Sequence, residues 1–545
     1  MSENRFKKFS PDIDFSGTDH IIIGSGMGGL TAATWLAKAG KKVVVFERHY
    51  TPGGFTHRFK RKKGFSWDVG VHYVGNMAKG NPLRGLFDFI TGNTLEWESM
   101  GDIYDVVHIG DQQYKFVAGK ENFRNQLITY FPEESQAIDA YLRLLKRSNK
   151  WANAFFFEKT FKPFLSFLAG TIIKKQYDRY SGRTTLDVLN ELTSNKRLIA
   201  VLCAQCGNYG LSPKHSSFGA HAIVVGHFME GGYYPKGGSD QISLKTSKTI
   251  RDHGGEVYIN AEVGEIVVEG NSVQGVKIGD KFIASKSVIS NVGVKNTFHH
   301  LLSESALKKS KFTLQNVKPS TGHMCLYVGL DKSDAELSLP KHNVWSFNTE
   351  NFDEVIDQIT VENTASQFSY VSFPSAKDPQ WADTHPNMAT IQALSVGNYD
   401  WFSAYEKQPW RNREMAYEKL KKNFEESMLQ RLYQLFPQIE GHVVVTEVST
   451  PLSTRHFSNY KNGEIYGLAH TPERFSLSGL RPETKIKGLR LVGQDITIVG
   501  VAGAMLSGML ASITILKFGV WRLFREVSRI KNENRKTHIE AHIGE

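Results

Sequence analysis

The spacing of hydrophobic and polar positions changes period several times along the chain, and each change predicts an element. Ile21, Ile22 and Ile23 form a β-branched run suited to a strand covered on both faces. Leu30 to Ala39 is rich in Ala and Leu and predicts a helix, which Gly40 ends. Val43 to Phe46 predicts a second strand, closed by Glu47. Residues 55–64 contain RFKRKK and read as a hairpin with a basic tip, and Phe65 to Tyr73 alternates as a strand. From Asn81 to Tyr234 the pattern is mainly helical, with amphipathic spacing over Glu134 to Phe157. A glycine turn, Tyr233 to Ser239, leads into a helix that runs to about Asp252. Residues 254–278 alternate again, turning at Gly254-Gly255 and Gly270-Asn271, and Val288 to Asn291 ends this region. About 320 to 480 reads as mixed and β-rich, with Tyr399, Trp401, Phe402 and Trp410 as core. Gly488 to Asp495 is a strand, and Gly500 to Ile515 is a helix of small residues.

A chain of 545 residues is too long for one ordinary core, so two or more domains are expected. Its 40% apolar and 22% charged content is that of a folded protein. The net charge of +11 favours anionic partners. No zinc-finger spacing, basic zipper or RNP-like aromatic motif accompanies it, so nucleic acid is not an expected partner. Three cysteines argue against a disulfide framework and for a reducing compartment. The first 15 residues lack an apolar core, so no secretory signal is expected. A cytoplasmic protein is the expectation.

The first strand, helix and second strand carry Gly24, Gly26 and Gly29 in the spacing G-x-G-x-x-G. Such glycines give a sharp turn, let a diphosphate approach the backbone, and allow tight helix–strand packing. The helix N-terminus then points free N–H groups at the diphosphate. Glu47 falls where an acid accepts hydrogen bonds from a ribose. A dinucleotide site follows; Glu47 suits a ribose of either NAD or FAD. No second strand–GxGxxG–helix unit exists, so no separate nicotinamide domain is expected. Cys203 and Cys206 read as two half-buried thiols on a helical segment, and His215, His221 and His227 lack the spacing of one metal-binding helix face. No metal site is expected. The absence of a G-x-S-x-G elbow removes a serine hydrolase.

GSGMGG (24–29), Glu47, PGGFTHRF (52–59) and WDVGVHYVG (67–75) together resemble the FAD-dependent carotenoid desaturase and isomerase superfamily. Cys206 to Ser243 and Leu491 to Gly508 are most similar to its retinol saturase (all-trans-retinol 13,14-reductase) branch. The likeness covers most of the chain and weakens between about 335 and 480. It implies an α/β protein: a discontinuous, Rossmann-like FAD-binding domain (15–75, 235–320 and 480–520) with an inserted α+β substrate domain (76–234 and 321–479). Residues 521–545 are left as a basic tail. The resemblance implies FAD contacts at Gly24, Ser25, Gly26, Gly28, Gly29, Glu47, Arg48, Gly53, Gly54, His57, Val263, Gly493, Asp495 and Val501. It implies a redox reaction at a carbon–carbon double bond of a hydrophobic isoprenoid, with reduction first and desaturation or cis–trans isomerisation as alternatives. A non-catalytic flavin protein that binds isoprenoids is a further alternative. NAD(P)H is one possible electron donor. His72, Tyr73 and Tyr234 are the candidate proton donors or orienting groups, since each adjoins glycines expected to crowd the flavin.

A water-insoluble substrate asks for an entrance at a membrane. Phe155, Phe156, Phe157, Phe161, Phe164 and Phe167 are interleaved with Lys159, Lys162, Lys174 and Lys175, which reads either as core or as an interfacial patch with lysines toward phosphates. Pro163 and the charges exclude a simple transmembrane helix there. The apolar stretch from Gly500 onward is expected as a buried helix, with Phe518, Val520, Trp521 and Phe524 as a further surface anchor. Peripheral membrane contact is the expectation.

Overall fold

The computed structural model of the protein describes residues 6–314 and 317–543. Six strands form a wholly parallel sheet in the order Lys7–Lys8, Glu256–Ile259, Val43–Phe46, His20–Ile23, Val288–Ser290, Leu489–Leu491. Side chains alternate across it. Ile22, Val45 and Ile289 pack under Leu30, Leu36 and Ala511 of the covering helices. Ile21, Ile23 and Phe46 pack on the other face against a small sheet, Glu265–Glu269, Ser272–Ile278 and Lys281–Ala284. Both faces are therefore apolar, which is why these strands read as unbroken β-branched runs. Strand order reverses beside His20–Ile23, whose neighbours are Val43–Phe46 on one side and Val288–Ser290 on the other. A crevice outside the carboxyl ends is the expected consequence.

The helix Met27–Lys38 lies against Gly500–Leu516. A Cβ on Gly508 would stand 2.3 Å from the Gly28 carbonyl oxygen, so the small residues of the late helix permit this approach. The late helix stops at Lys517, which has φ +50°, and Val520–Ile543 continues the chain as a second helix. That helix buries Val520, Leu523, Val527 and Ile530 along Pro82–Ile90, and Asn534 donates to Asp88 at 2.8 Å. The basic tail expected over 521–545 is thus a docked helix through 543; residues 544 and 545 lie outside the described residues. By length and composition alone, the helical run Gly500–Lys536, which spans both helices, is the one stretch among the described residues able to cross a membrane, and half of its most apolar part is buried in the protein.

Above the crevice stands a seven-stranded sheet: Val443–Ser449, Gly322–Leu330, Ala389–Gly397, Phe368–Ser372, Asn343–Phe347, Ile103–Ile109 and Gln112–Val117. Met324, Leu326, Val328 and Leu330 face the helix Met415–Leu435. The alternate residues, Cys325 and Tyr327, face the hairpin Arg58–Lys60/Ser66–Asp68, where the sequence places one. Its tip is less basic than expected, because Arg61 pairs with Glu447. The mainly helical reading of 81–234 holds, with the strands Ile103–Ile109 and Gln112–Val117 as its main exception. Ile103–Ile109 joins the sheet by pairing with Asn343–Phe347, far along the chain, so the place of this hairpin in the sheet has no local signature. The remaining lobe is helical and encloses Phe155, Phe156, Cys203 and Cys206, all buried.

Candidate functional site

Four strand ends of the parallel sheet open into one cavity, lined by Gly24, Glu47, Asn291 and Gly493. Gly26, Val263 and Asp495, contributed by three distant parts of the sequence, line the same space, as do Arg48, Gly53, Gly54, Gly500 and Val501. Local hydrogen bonds hold the first segment in shape. Ser25 donates to one Glu47 carboxylate oxygen through its N–H (2.8 Å) and Oγ (2.5 Å), and accepts from Gly53 N–H at 3.1 Å. The other Glu47 oxygen accepts from His49 N–H at 2.8 Å. Asp495 accepts from Val294 N–H (2.9 Å) and Leu468 N–H (2.8 Å), which ties the closing strand to two other segments.

Gly28 and Gly29 serve packing and do not line the cavity. A Cβ on Gly29 would meet the Gly24 carbonyl oxygen at 2.2 Å, and one on Gly28 would meet Gly493 N and Asn291 Oδ1 at 2.7 Å. Ser25 likewise acts through Glu47. His57 lines a second, adjoining cavity, where its Nδ1 bonds the Gly54 carbonyl at 2.5 Å.

Of the three candidate donors, only His72 lines the first cavity. Tyr73 stacks on Phe228 at 4.0 Å and donates to Asp105 at 3.0 Å. Tyr234 donates to Asp68, whose other oxygen accepts from Ser239 Oγ at 2.6 Å. Both tyrosines are committed to buried carboxylates, which corrects the expectation that they face the reacting centre. Tyr234→Phe is expected to lower stability by about 1–3 kcal/mol, seen as a shifted urea midpoint, with flavin content unchanged.

Residues that the sequence did not single out also line the cavity: His323, Leu394, Tyr460, Tyr466 and Asn291. His72 and His323 each keep a buried Nδ1 without a hydrogen-bond partner among the described residues. Burial holds both imidazoles neutral, with pKa values pushed down to about 3 for His72 and about 4 for His323; the nearby Lys377 charge adds to the first. Lys377 is itself buried, donating to the His72 carbonyl at 3.0 Å, to Ser372 Oγ at 2.7 Å and to Asn343. Burial brings its pKa down to about 7. It fixes the backbone of His72 from behind the cavity wall. Among the described residues no cluster of His, Cys, Asp and Glu suits a metal ion.

The profile of the flavin-containing amine oxidoreductases matches residues 27–516. The chain belongs to this family. The all-trans-retinol 13,14-reductase of Danio rerio is 33% identical over 95% of this chain and 89% of the relative. The chloroplastic prolycopene isomerase of Daucus carota is 26% identical over 91% of this chain and 80% of its own length. Cyclohexylamine oxidase from Brevibacterium oxydans shares the fold at 16% identity, with a TM-score of 0.59 over 95% of this chain and 99% of the oxidase.

The cavity fits the flavin of this family in its FAD form. Two helix N-termini, at Gly26 and Gly500, border it, and a helix N-terminus offers unpaired N–H groups to phosphate. Arg48 Nη1 is buried at the cavity with no hydrogen-bond partner among the described residues, as is His49 Nε2 beside it, and both are donors of the kind a diphosphate requires. Glu47, Val263 and Ala261 stand together at the end suited to adenosine. His72, His323 and Tyr466 line another part of the same cavity.

Proposed function

We propose that this protein reduces one carbon–carbon double bond of a hydrophobic isoprenoid, a retinoid first among them. The observation that carries the reading is 33% identity, over nearly the whole chain, to a protein named all-trans-retinol 13,14-reductase. The bound FAD supplies the two-electron chemistry. This chain's residues supply position and dryness. Glu47, Arg48 and the helix N-terminus at Gly26 hold the nucleotide end. Neutral His72 and His323 each offer one N–H and one lone pair in the same cavity, without the desolvation cost of a charged group. Conjugation in the substrate spreads the transient charge, so a neutral imidazole N–H, or water held by it, suffices as the source of the proton.

Desaturation and cis–trans isomerisation use the same cavity, and the isomerase relative keeps that second reading alive. The mass of the extracted product separates them: two units heavier on reduction, two lighter on desaturation, unchanged on isomerisation. Purified flavoprotein, reduced with dithionite and given all-trans-retinol without oxygen, is expected to yield the heavier product. An isomer of unchanged mass favours isomerisation, and no conversion of any polyene, in mass or in double-bond geometry, overturns the enzyme reading and favours the isoprenoid-binding protein.

The same proposal places the protein on a membrane surface. Phe164 (72% exposed), Phe167 (75%) and Ile172 (62%) project from the finger around Pro163–Leu165 and Thr171–Ser181, with Leu165 and Leu168 half-exposed beside them. Such a grouping of large apolar side chains on a surface marks a partner or a bilayer, and Lys162 and Lys175 supply positive charge for anionic headgroups. Lys159 does not belong to this patch: it is buried, with Nζ donating to the Ile496 carbonyl at 2.6 Å. Lys174 lies 3.7 Å from buried Glu158, so it anchors the finger instead of meeting phosphates. Replacing Phe164, Phe167 and Ile172 with serine is expected to move most of the protein from vesicle-bound to free in flotation on anionic liposomes. Full flotation of the triple variant removes the finger from the contact.

A reduced nicotinamide dinucleotide, NADH or NADPH, is the electron donor in this proposal.

A further inference from the structure

The second cavity, of about 720 Å³, lies between the basic hairpin, the strands Gly322–Leu330 and Val443–Ser449, and the helix Met415–Leu435. It shares Glu47, Gly54, Phe55, Val69, His323 and Phe457 with the flavin cavity, so the two adjoin. We propose that it binds the reduced nicotinamide dinucleotide, with its phosphates on Arg411 and Arg413. The inference rests on the reductase reading above and gives the donor a place.

Three observations favour an anionic, ring-bearing ligand over a polyene. The first is charge. Arg61 is paired with Glu447, and Lys421 with Glu418 at 3.4 Å, which leaves two guanidiniums among the charged lining residues. Arg411 and Arg413 have no carboxylate partner among the described residues. Arg413 spends only its Nε, on the Tyr405 carbonyl at 3.4 Å. Guanidinium groups with open N–H edges are suited to bidentate contact with phosphate oxygens.

The second is the walls. Trp410, Tyr417 and Phe457 border the space, and the Arg413 guanidinium lies 4.9 Å from the Tyr417 ring and 5.5 Å from Trp410. These rings hold the guanidinium in place and give planar heterocycles a surface to rest on. The third is desolvation. A hydrocarbon seated here would strip water from Arg61, Arg413, Lys421, Glu418 and Glu447 and return no hydrogen bond. A dinucleotide returns several. The volume falls in the range of small-molecule sites.

The test is a titration of the flavin-loaded protein with NADPH, read by nucleotide fluorescence and calorimetry. Arg411→Asn keeps a side chain that tolerates the left-handed backbone at this position (φ +62°), and Arg413→Gln keeps length and polarity. Each is expected to raise the NADPH Kd about tenfold and to flatten its dependence on salt. Flavin content, and product formed with dithionite in place of NADPH, should not change. An unchanged Kd in both variants, no binding of NADPH to the wild-type protein, or competitive displacement of NADPH by all-trans-retinol overturns the assignment. Failure of the reductase reading looks different: dithionite-reduced protein makes no heavier product, whatever the titration shows.

Discussion

Gly26→Val protein is expected to fold, to purify and to carry little or no flavin. The backbone at Gly26 is extended (φ −64°, ψ 170°), a conformation open to any residue, so the substitution stores no backbone strain. Its cost is steric and local. A Cβ at this position stands 2.7 Å from Asn291 Nδ2, and Asn291 lines the flavin cavity. Accommodating the larger side chain displaces Asn291 into the space that the diphosphate requires. Overpacking of this kind costs about 1–3 kcal/mol, which converts to roughly 10–100-fold weaker flavin binding. The ratio of flavin to protein absorbance measures it directly, and Gly26→Ala should fall between valine and wild type. Gly29 gives the contrast. Its Cβ would meet a backbone carbonyl at 2.2 Å with no side chain able to yield, so Gly29→Val should fail to fold instead of losing flavin selectively. Full flavin retention in Gly26→Val would remove Gly26 from the cofactor site.

The contrast between Gly26 and Gly29 is one that spacing alone states only in outline. The strand–turn–helix–strand from His20 to Glu47 is legible because everything it needs is contiguous: a β-branched run, three spaced glycines, an Ala-rich helix and a closing acid. Asp495 and Val263 were reachable only through the family resemblance, since nothing local to either residue announces a ligand. His323 shows the limit more sharply. It stands on a strand whose alternation is visible, yet which face of that strand meets the cavity depends on pairing with Ala389–Gly397 and Val443–Ser449. A register moved by one residue would have turned it into the core. Tyr73 and Tyr234 failed in the opposite sense. Each adjoins an informative glycine, but a tyrosine hydroxyl carried into a core finds a partner, and here the partners, Asp105 and Asp68, lie far away in sequence. The finger at Phe164 was legible as an apolar patch; what could not be read was that Lys159, in the midst of it, turns inward to the carbonyl of Ile496.

Stability is expected to fall steeply as pH drops from about 6.5 to 4. Seven histidines, at 20, 49, 72, 221, 227, 323 and 342, have pKa values pushed down by burial to about 3 or about 4. A folded-state value below the unfolded one means that the unfolded chain takes up protons first as pH falls, so each histidine shifts the balance toward unfolding between 6.5 and its own folded value. His221 shows the scale. It is fully buried between the Tyr141 and Tyr209 hydroxyls, at 2.8 and 3.2 Å, and its pKa falls to about 3. By pH 4 such a group costs on the order of 3 kcal/mol, a large part of the roughly 5–15 kcal/mol that holds a domain folded. Asp105 and Asp334 run the other way: burial raises each to about 6, so the folded state gains from their protonation over the same range. Burial also raises Asp88, Asp240, Asp378 and Glu464, but it lowers His57, His108, His385, His456 and His470 as well, so the imidazoles outweigh the carboxyls. Urea midpoints measured at pH 7.5, 6 and 5 should fall progressively, and His221→Asn should remove part of the slope between pH 6.5 and 4. A midpoint that holds or rises on acidification would mean that these histidines are protonated in the folded protein, and would withdraw the neutral assignment of His72 and His323 in the cavity as well.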